Sequence, residues 1–243
     1  MKKLEQALVI DAGNTRIKVG LFENADLKEV QHFGNDELDA LKNYLFPFAN
    51  VPTIIASVRS DKNTKWLQRL VKNSILFRND MPLPIQICYE TPHTLGVDRI
   101  ANALAAAMIT KGNALVVDIG TCVKYDFIDA QKNYQGGAIS PGIGLRYRSM
   151  HEFTGKLPLI SDRENAPIIG KNTLEAMRSG VINGLNREIL GFIEEYQRIY
   201  PELTIFLTGG DHQYFDLEVK NGIFVDENLT LKGLLTALIH DYS

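Results

Sequence analysis

The sequence predicts an α/β fold built from two similar halves. Apolar runs of strand character alternate with helical stretches along the chain, an order that is typical of α/β domains. The motif DAGNT at residues 11–15 returns as DIGT at residues 118–121, each time after one apolar strand and before another. Two copies of strand, acidic glycine turn and strand predict a duplicated domain with a cleft between its halves, 1–112 and 113–243. The alternative is a chance likeness, because Asp and Gly are common turn residues.

The first half is predicted to begin with a hairpin and to continue with alternating helices and strands. Strands at residues 7–10 and 17–22 flank the polar sequence DAGNTR, whose Asp, Gly and Asn residues favour a turn. The alanine-rich run at residues 100–108 predicts a helix, because alanine has the highest helix propensity. The elements predicted between these are a helix near residues 36–46, a strand at 53–58, a helix around 63–71 and a short strand at 85–88.

The second half repeats the opening, with strands predicted at residues 114–118 and 123–128 around the turn IGT. A long helix is predicted at residues 174–200, because its apolar residues recur at 3- and 4-residue intervals. Residues 145–171 show no clear period, and a loop of this length is usually functional or part of an interface. A strand at 204–208 precedes the turn GGD, and a final helix has the core face Leu231, Leu234, Leu235, Leu238 and Ile239.

The composition favours small-molecule chemistry in the cytoplasm. The 243 residues include 26 Lys and Arg against 29 Asp and Glu, and a pI near 6.0 argues against a nucleic-acid binder. Cys88 and Cys122 lack the spacing of a metal motif or of a secreted disulfide framework. The apolar run at residues 7–10 is shorter than a signal-peptide core, and no run approaches the roughly 18 apolar residues of a membrane span. We therefore expect no export, no membrane and no nucleic-acid partner.

The usual nucleotide-binding signatures are absent, which leaves glycine turns as the candidates. The pair Gly170 and Lys171 is followed by Asn172 instead of Ser or Thr, so the phosphate-loop motif is missing, and GxGxxG is missing as well. DAGNTRIK at residues 11–18 offers glycine N–H groups, a Thr hydroxyl and a Lys ammonium, which together suit phosphate. The sequence TGGD at residues 208–211 is a third turn that could line the same cleft.

Three carboxylates are candidates for metal binding or catalysis. Asp11 and Asp118 are oxygen ligands that suit Mg²⁺ with its shell of water, or a monovalent cation. The alternative is that each only hydrogen-bonds its own turn. Asp98 stands in GVDR, residues 96–99, before a helix. It could accept a proton from a substrate hydroxyl as that hydroxyl attacks phosphorus, or it could only cap the helix.

The motifs together resemble the type III pantothenate kinase family. The resemblance runs from residue 7 to beyond residue 211 and is carried by DAGNTRIK, YETPHTLGVDRIANALAA, VVDIGT, GGAISPGI, TGKLP, GKNTLEAMRSG and LTGGD, in this order. It implies two ribonuclease-H-like domains, a duplicated actin-like ATPase fold with the active site in the cleft between them. It also implies transfer of the ATP γ-phosphate to the 4′-hydroxyl of pantothenate, the first step towards coenzyme A, by a homodimer that shares its active sites.

The same resemblance implies roles for particular residues. Asp98 matches the proton acceptor, and Asp118 matches the position of a monovalent cation, K⁺ or ammonium. Mg²⁺ would accompany ATP and be held by Asp11 through water. The ATP-binding residues would be Asp11, Ala12, Gly13, Asn14, Thr15, Arg16, Ile17, Lys18 and Thr121. The pantothenate-binding residues would be Tyr89, Gly96, Val97, Asp98, Arg99 and, from the neighbouring subunit, Thr173.

The chain departs from the family pattern in its second phosphate turn, and two other functions stay open. Where the family has DxGTA and a small hydroxyl residue, this chain has Cys122 and Lys124. Lys124 could add charge near the nucleotide or reach solvent. One alternative function is a kinase of the same superfamily that acts on another small hydroxy compound. The other is a non-catalytic, nucleotide-binding relative that acts in transcription, although the acidic pI and the presence of Asp98 favour an enzyme.

Overall fold

The chain forms two β-sheets with helices packed against them, which confirms the predicted α/β class. The computed structural model describes residues 4–215 and 222–242. Contacts between Cα atoms divide the chain into two compact units. Unit 1 draws on Met1–Ile109, Lys132–Gln135 and Asn228–Ser243, and unit 2 on Thr110–Gln131 and Gly136–Glu227.

The first part of the chain carries the elements of unit 1 up to residue 109. They are, in order, β1 (Gln6–Ala12), β2 (Arg16–Glu23), β3 (Asp26–Gly34), α1 (Leu38–Leu45), β4 (Thr53–Ser57), α2 (Asp61–Leu70), β5 (Ser74–Leu76), β6 (Gln86–Ile87) and α3 (Val97–Ile109).

The second part continues with β7 (Ala114–Ile119), β8 (Cys122–Ile128), β9 (Asn133–Pro141), α4 (Ile143–Glu152), α5 (Thr173–Arg178), a π-helical turn (Ser179–Asn183), α6 (Gly184–Ile199), β10 (Thr204–Thr208), β11 (Ile223–Val225) and α7 (Leu229–Asp241).

The two sheets have the same strand order. In unit 1 the order is β3-β2-β1-β4-β5, with β1 antiparallel to β2 and parallel to β4. The corresponding order in unit 2 is β9-β8-β7-β10-β11, with β7 antiparallel to β8 and parallel to β10. The first residues of β9 cluster with unit 1, where they pair with β6. Each predicted DxG turn therefore joins the first two strands of its sheet.

The C-terminal helix α7 belongs to unit 1. It packs against α3 and against β1 and β4, and its predicted core residues Leu231, Leu234 and Leu238 are fully buried. Gly233 lies so close to α3 that an added Cβ would collide with the Ala101 carbonyl. The division near residue 112 stays a prediction about domains, whereas the contact units place this last helix with the first half.

Four strands and one helix were not predicted. The strands are β3, β5, β9 and β11, and the helix is α4, which occupies the first part of the supposedly irregular residues 145–171. β3 is polar and mostly half-exposed, and β9 contains Gly136 and Gly137, both at positive φ, and ends in a proline. Glycine and proline are depleted in strands, so neither sequence shows the apolar alternation on which strand prediction depends.

Two other expectations concern the surface of the chain. Within residues 4–215 and 222–242, the structure has no helix with the length and apolar character that crossing a membrane requires. Cys88 and Cys122 are both free thiols, as expected from their spacing.

Candidate active site

The β1–β2 turn presents the predicted phosphate-binding residues of unit 1. Asp11 and Lys18 are directly opposed across the antiparallel pair, so their side chains emerge on the same face of the sheet. Ala12 and Ile17 are buried in the core, and only their backbone groups can therefore meet a nucleotide. The residues at the exposed tip are Asn14, Thr15 and Arg16.

Arg59 holds this turn and was missed in the sequence analysis. Its Nε donates to the Gly13 carbonyl oxygen at 2.7 Å, while the Asn35 side chain donates to the Asn14 carbonyl oxygen at 3.2 Å. Burial lowers the pKa of Arg59 below its ordinary value. The available signal was positional: Arg59 follows β4, and the carboxyl ends of the parallel strands β1 and β4 meet at one edge of the sheet.

Tyr89 and Arg99, two of the predicted pantothenate contacts, meet at one aromatic ring in unit 1. The Arg99 Cζ atom lies 6.0 Å from the centroid of the Tyr134 ring, and the Tyr89 ring lies 6.1 Å from the same centroid. Arg99 is only 4% exposed. A guanidinium held over an aromatic face in this way is a cation–π contact. Tyr134 is a second residue that the sequence analysis missed, because it lies on the unpredicted strand β9.

Asp98 lies in the first turn of α3, beside Arg99. Its Oδ1 accepts a hydrogen bond from the Arg99 backbone N–H at 3.0 Å. A Cβ added to Gly96 would lie 2.6 Å from this same oxygen, so glycine leaves room for the carboxylate to turn back over the start of the helix. The helix dipole favours a negative charge at this end. Val97 is the first residue of α3, so the four GVDR residues form one compact turn.

The β7–β8 turn presents the corresponding residues of unit 2. Asp118 is 8% exposed, and its Oδ2 lies 2.7 Å from the ammonium Nζ of Lys124. The turn is closed by a hydrogen bond from the Gly120 N–H to the Cys122 carbonyl oxygen at 3.1 Å. Thr121, the predicted ATP contact, is exposed at the tip. Asp118 is therefore paired with a lysine, an arrangement that its family role does not predict.

The TGGD sequence packs directly on this second turn. Gly209 adopts a φ of +91°, a conformation that favours glycine. The Asp211 N–H donates to the Ile119 carbonyl oxygen at 2.9 Å. A Cβ on Gly209 would collide with that carbonyl group. Of the three glycine turns identified in the sequence, the second and third are therefore in contact within unit 2.

The ISPG motif supports the same turn from the other side. The Gly142 N–H donates to the Thr121 carbonyl oxygen at 3.0 Å, and a Cβ there would collide with the backbone of Gly120 and Thr121. Ser140 donates to the Glu188 carboxylate, which also forms an ion pair with Arg146. This motif therefore has a structural explanation, namely a close backbone approach beside a satisfied polar network.

Thr173 is the exposed first residue of α5, at the end of an irregular segment that follows α4. The segment is held to the helix by Arg178, whose guanidinium donates twice to Asp162, at 3.0 and 2.7 Å. These hydrogen bonds hold the pKa of Asp162 below its ordinary value. Ser179 Oγ also donates to the Ile168 carbonyl oxygen at 3.0 Å. Thr173 thus stands on a fixed part of unit 2.

The candidate residues therefore fall into two groups. Unit 1 brings together the first phosphate turn in one hairpin and, elsewhere in the unit, Tyr89 with the GVDR turn. Unit 2 brings together Asp118, Thr121 and the TGGD turn, and it contains Thr173. Among the described residues, no cluster of three or more His, Cys, Asp or Glu side chains could hold a metal ion. Any Mg²⁺ would have most of its ligands from phosphate and water.

Comparisons with known proteins identify the family. A type III pantothenate kinase of Phocaeicola vulgatus is 44% identical over 230 residues, which cover 93% of this chain and 95% of that protein. Among solved structures, a conserved protein of Campylobacter jejuni described as a Baf family transcriptional activator has a TM-score of 0.64 at 22% identity, covering 97% of this chain and 98% of that one. A polyphosphate/ATP-glucomannokinase of Arthrobacter has a TM-score of 0.51 at 14% identity, covering 97% of each chain. At these identities the two structures establish the fold alone. The sequence model of the type III pantothenate kinase family matches residues 7–195, and the chain belongs to that family.

Proposed function

We propose that this protein is a pantothenate kinase that transfers the γ-phosphate of ATP to the 4′-hydroxyl of pantothenate. The observation that carries the proposal is the first turn of α3, where Asp98 stands next to the buried guanidinium of Arg99. Pantothenate has a carboxylate that a buried cation can bind and hydroxyls of which one must lose a proton. One helix turn therefore offers both a site for the acid group and a base for the alcohol.

The roles of the other residues follow from their positions. Asp98 accepts the proton of the attacking hydroxyl, and Arg99, Tyr89, Gly96 and Val97 hold pantothenate. The turn from Asp11 to Lys18 and the exposed Thr121 bind ATP, with the Lys18 ammonium near the phosphates. The work of these groups is positioning and electrostatic stabilisation, as in other phosphoryl transfers. We propose that the two units are ribonuclease-H-like domains with this site in the cleft between them.

The residues present fit a Mg²⁺ ion that arrives with ATP. Asp11 ends strand β1 opposite Lys18, and a single carboxylate that acts through water is typical of magnesium bound to nucleotide phosphates. When bound, the ion would neutralise charge on the transferred phosphoryl group. The chain itself supplies the glycine N–H groups, the Thr15 hydroxyl and the Lys18 ammonium for the same phosphates.

The monovalent cation implied at Asp118 fits less well. K⁺ or ammonium would bind to the carboxylate oxygens, but Oδ2 of Asp118 already contacts the Lys124 ammonium at 2.7 Å. A second cation on this carboxylate would stand beside a like charge in a largely buried place. No step of the proposed reaction is therefore assigned to a bound K⁺ or ammonium ion.

We propose that the protein acts as a homodimer and that the partner subunit contributes its own Thr173. The apolar side chains that unit 2 exposes between α4 and α5 support this proposal, because patches of this kind mark interaction sites. A second copy is the occupant that the shared active site of the family implies. Cytoplasmic location is part of the same proposal, since both substrates are cytoplasmic metabolites. The exposed residues are Phe153, Leu159, Ile168, Ile169 and Leu174.

The dimer is tested by Ile169→Asp, which places a charge on a side chain that is 74% exposed in the single chain. We expect light scattering after gel filtration to show a dimer for the parent protein and a monomer for the variant. Loss of one hydrogen bond to pantothenate would lower kcat/KM for pantothenate roughly 2- to 10-fold. Phe46→Asp is the matched control, because Phe46 is equally exposed but lies in unit 1. A monomeric parent, or a variant that keeps the mass of the parent, would contradict the proposal.

The reaction is tested by mass spectrometry of purified protein incubated with ATP, Mg²⁺ and pantothenate. We expect a product one phosphoryl group heavier than pantothenate, and none from the analogue that lacks the 4′-hydroxyl. A panel of sugars and hydroxy acids serves as the comparison, because other kinases share this fold. A better substrate in that panel would point to a different kinase. Nucleotide binding without any product would favour the non-catalytic alternative.

A further inference from the structure

The Asp118–Lys124 ion pair is set by the strand register of unit 2. Asp118 on β7 and Lys124 on β8 are directly opposed across the antiparallel pair, so their side chains emerge on the same face. The distance from Nζ to Oδ2 is 2.7 Å, and the two side chains are only 17% and 12% exposed. A pair this short and this well shielded is not one of the solvated surface contacts that contribute little.

The other oxygen of Asp118 is enclosed as well. A Cβ added to Gly209 would lie 2.5 Å from Oδ1, so the backbone of the TGGD turn already stands against this oxygen. The same turn is fixed by the hydrogen bond from the Asp211 N–H to the Ile119 carbonyl oxygen. The carboxylate therefore has the lysine ammonium at one oxygen and the glycine backbone at the other.

We propose that Lys124 is a tethered cation: its ammonium supplies the positive charge that a bound K⁺ or ammonium ion would supply at Asp118. A lysine ammonium carries the same unit charge as either ion and donates hydrogen bonds to the carboxylate as ammonium does. Because it is covalently attached, its local concentration does not depend on the salt in the solution. The inference rests on the proposed kinase function, and it makes phosphoryl transfer by this protein independent of added K⁺ or ammonium.

The test compares initial rates of the full-length protein in sodium, potassium and ammonium buffers of equal ionic strength. We expect the parent to give the same rate in all three buffers. In Lys124→Met, which keeps the length of the side chain and removes the charge, we expect a roughly 10²-fold loss in sodium, the scale of losing one preorganised charge. Potassium or ammonium should restore the rate of this variant along a saturable curve. Lys124→Arg should behave as the parent does.

Lys111→Met is the matched control, because Lys111 is an exposed lysine of the same unit. It should show no effect of the cation. A parent rate that rises with K⁺ to saturation would overturn the inference. So would a folded Lys124→Met that stays inactive in every buffer, or one that matches the parent in sodium.

A second measurement does not need the kinase reaction. Calorimetric binding of ATP and Mg²⁺ should be independent of K⁺ in the parent and should gain a K⁺ dependence in Lys124→Met. If no pantothenate is phosphorylated in any buffer, the proposed function fails, and this binding measurement still decides the role of Lys124. Equal K⁺ dependence in both proteins would overturn the tethered cation alone. If Lys124→Met does not fold, parent and Lys124→Arg rates that rise with K⁺ would have the same consequence.

Discussion

Asp98→Asn is expected to lower kcat by roughly 10²- to 10⁴-fold, the range for loss of a general base. The amide has nearly the shape of the carboxylate, and its oxygen can still accept the hydrogen bond that Asp98 Oδ1 receives from the Arg99 N–H at 3.0 Å. Binding of ATP and of pantothenate should therefore change little. Steady-state kinetics together with calorimetric titration of each substrate would separate the loss of turnover from a loss of binding.

The matched control is Asp61→Asn. Asp61 is also an acid in the first turn of a helix of unit 1, but it is exposed and lies at the start of α2. It should lose no more than the few tenths of a kcal/mol that an exposed helix-dipole contact contributes, about 0.3–1 kcal/mol, and no turnover. Unchanged kcat in Asp98→Asn would remove this residue from the role of base. A variant with weaker pantothenate binding and normal turnover would show that Asp98 only positions the substrate.

Gly233→Ala is expected to be the most destabilising of the simple glycine substitutions in unit 1. A single methyl group at this position would collide with the Ala101 carbonyl, and the helices α7 and α3 would have to move apart. Overpacking of this kind costs about 1–3 kcal/mol and occasionally more. For a chain of this length, the melting temperature should fall by roughly 2–4 °C per kcal/mol. Thermal unfolding followed by circular dichroism would measure the shift.

Gly191→Ala provides the opposite control. Gly191 lies within α6, is exposed, and an added Cβ would contact nothing within 4 Å. Alanine there should stabilise the helix by about 0.5–1 kcal/mol, since glycine loses more backbone freedom on folding. If Gly233→Ala were as stable as Gly191→Ala, the close packing of α7 on α3 would be wrong.

The predictable parts of the fold are those whose sequence pattern matches their burial. The two hairpins were predicted because β1 and β7 are nearly continuous apolar strands that end in acidic glycine turns. β9 was missed because its role depends on tertiary contacts, which permit Gly136 and Gly137 at positive φ. No local pattern announces such a strand, since its neighbours β6 and β8 are what hold it in place.

The long helix illustrates a signal that was present but not interpreted. Met177, Val181, Leu185, Ile189 and Ile193 are all buried, and each follows the last by four residues. In a regular α-helix each such step turns the apolar position by about 40°, so five positions would spread around the helix. The π-helical turn at Ser179–Asn183 takes up part of this drift, because its hydrogen bonds span five residues. The unbroken series of four-residue steps was the evidence for it.

The candidate site was predictable in its motifs and unpredictable in its pairings. Asp98 and Arg99 were singled out because they are adjacent in the chain. The ring of Tyr134 and the guanidinium of Arg59 come from other strands and were not identified. Lys124 was left between a role near the nucleotide and exposure to solvent, and only the register of β7 and β8 pairs it with Asp118.

The position of α7 has a consequence for the order in which the protein can fold during synthesis. Unit 2 needs no residue beyond Glu227, whereas unit 1 needs Asn228–Ser243 to cover α3. A ribosome adds roughly 5–20 residues per second, so the half of the protein that is made first waits for the last helix. Until then the apolar face of α3 that α7 covers is a surface for chaperones, and the usual vectorial order of domain folding is reversed.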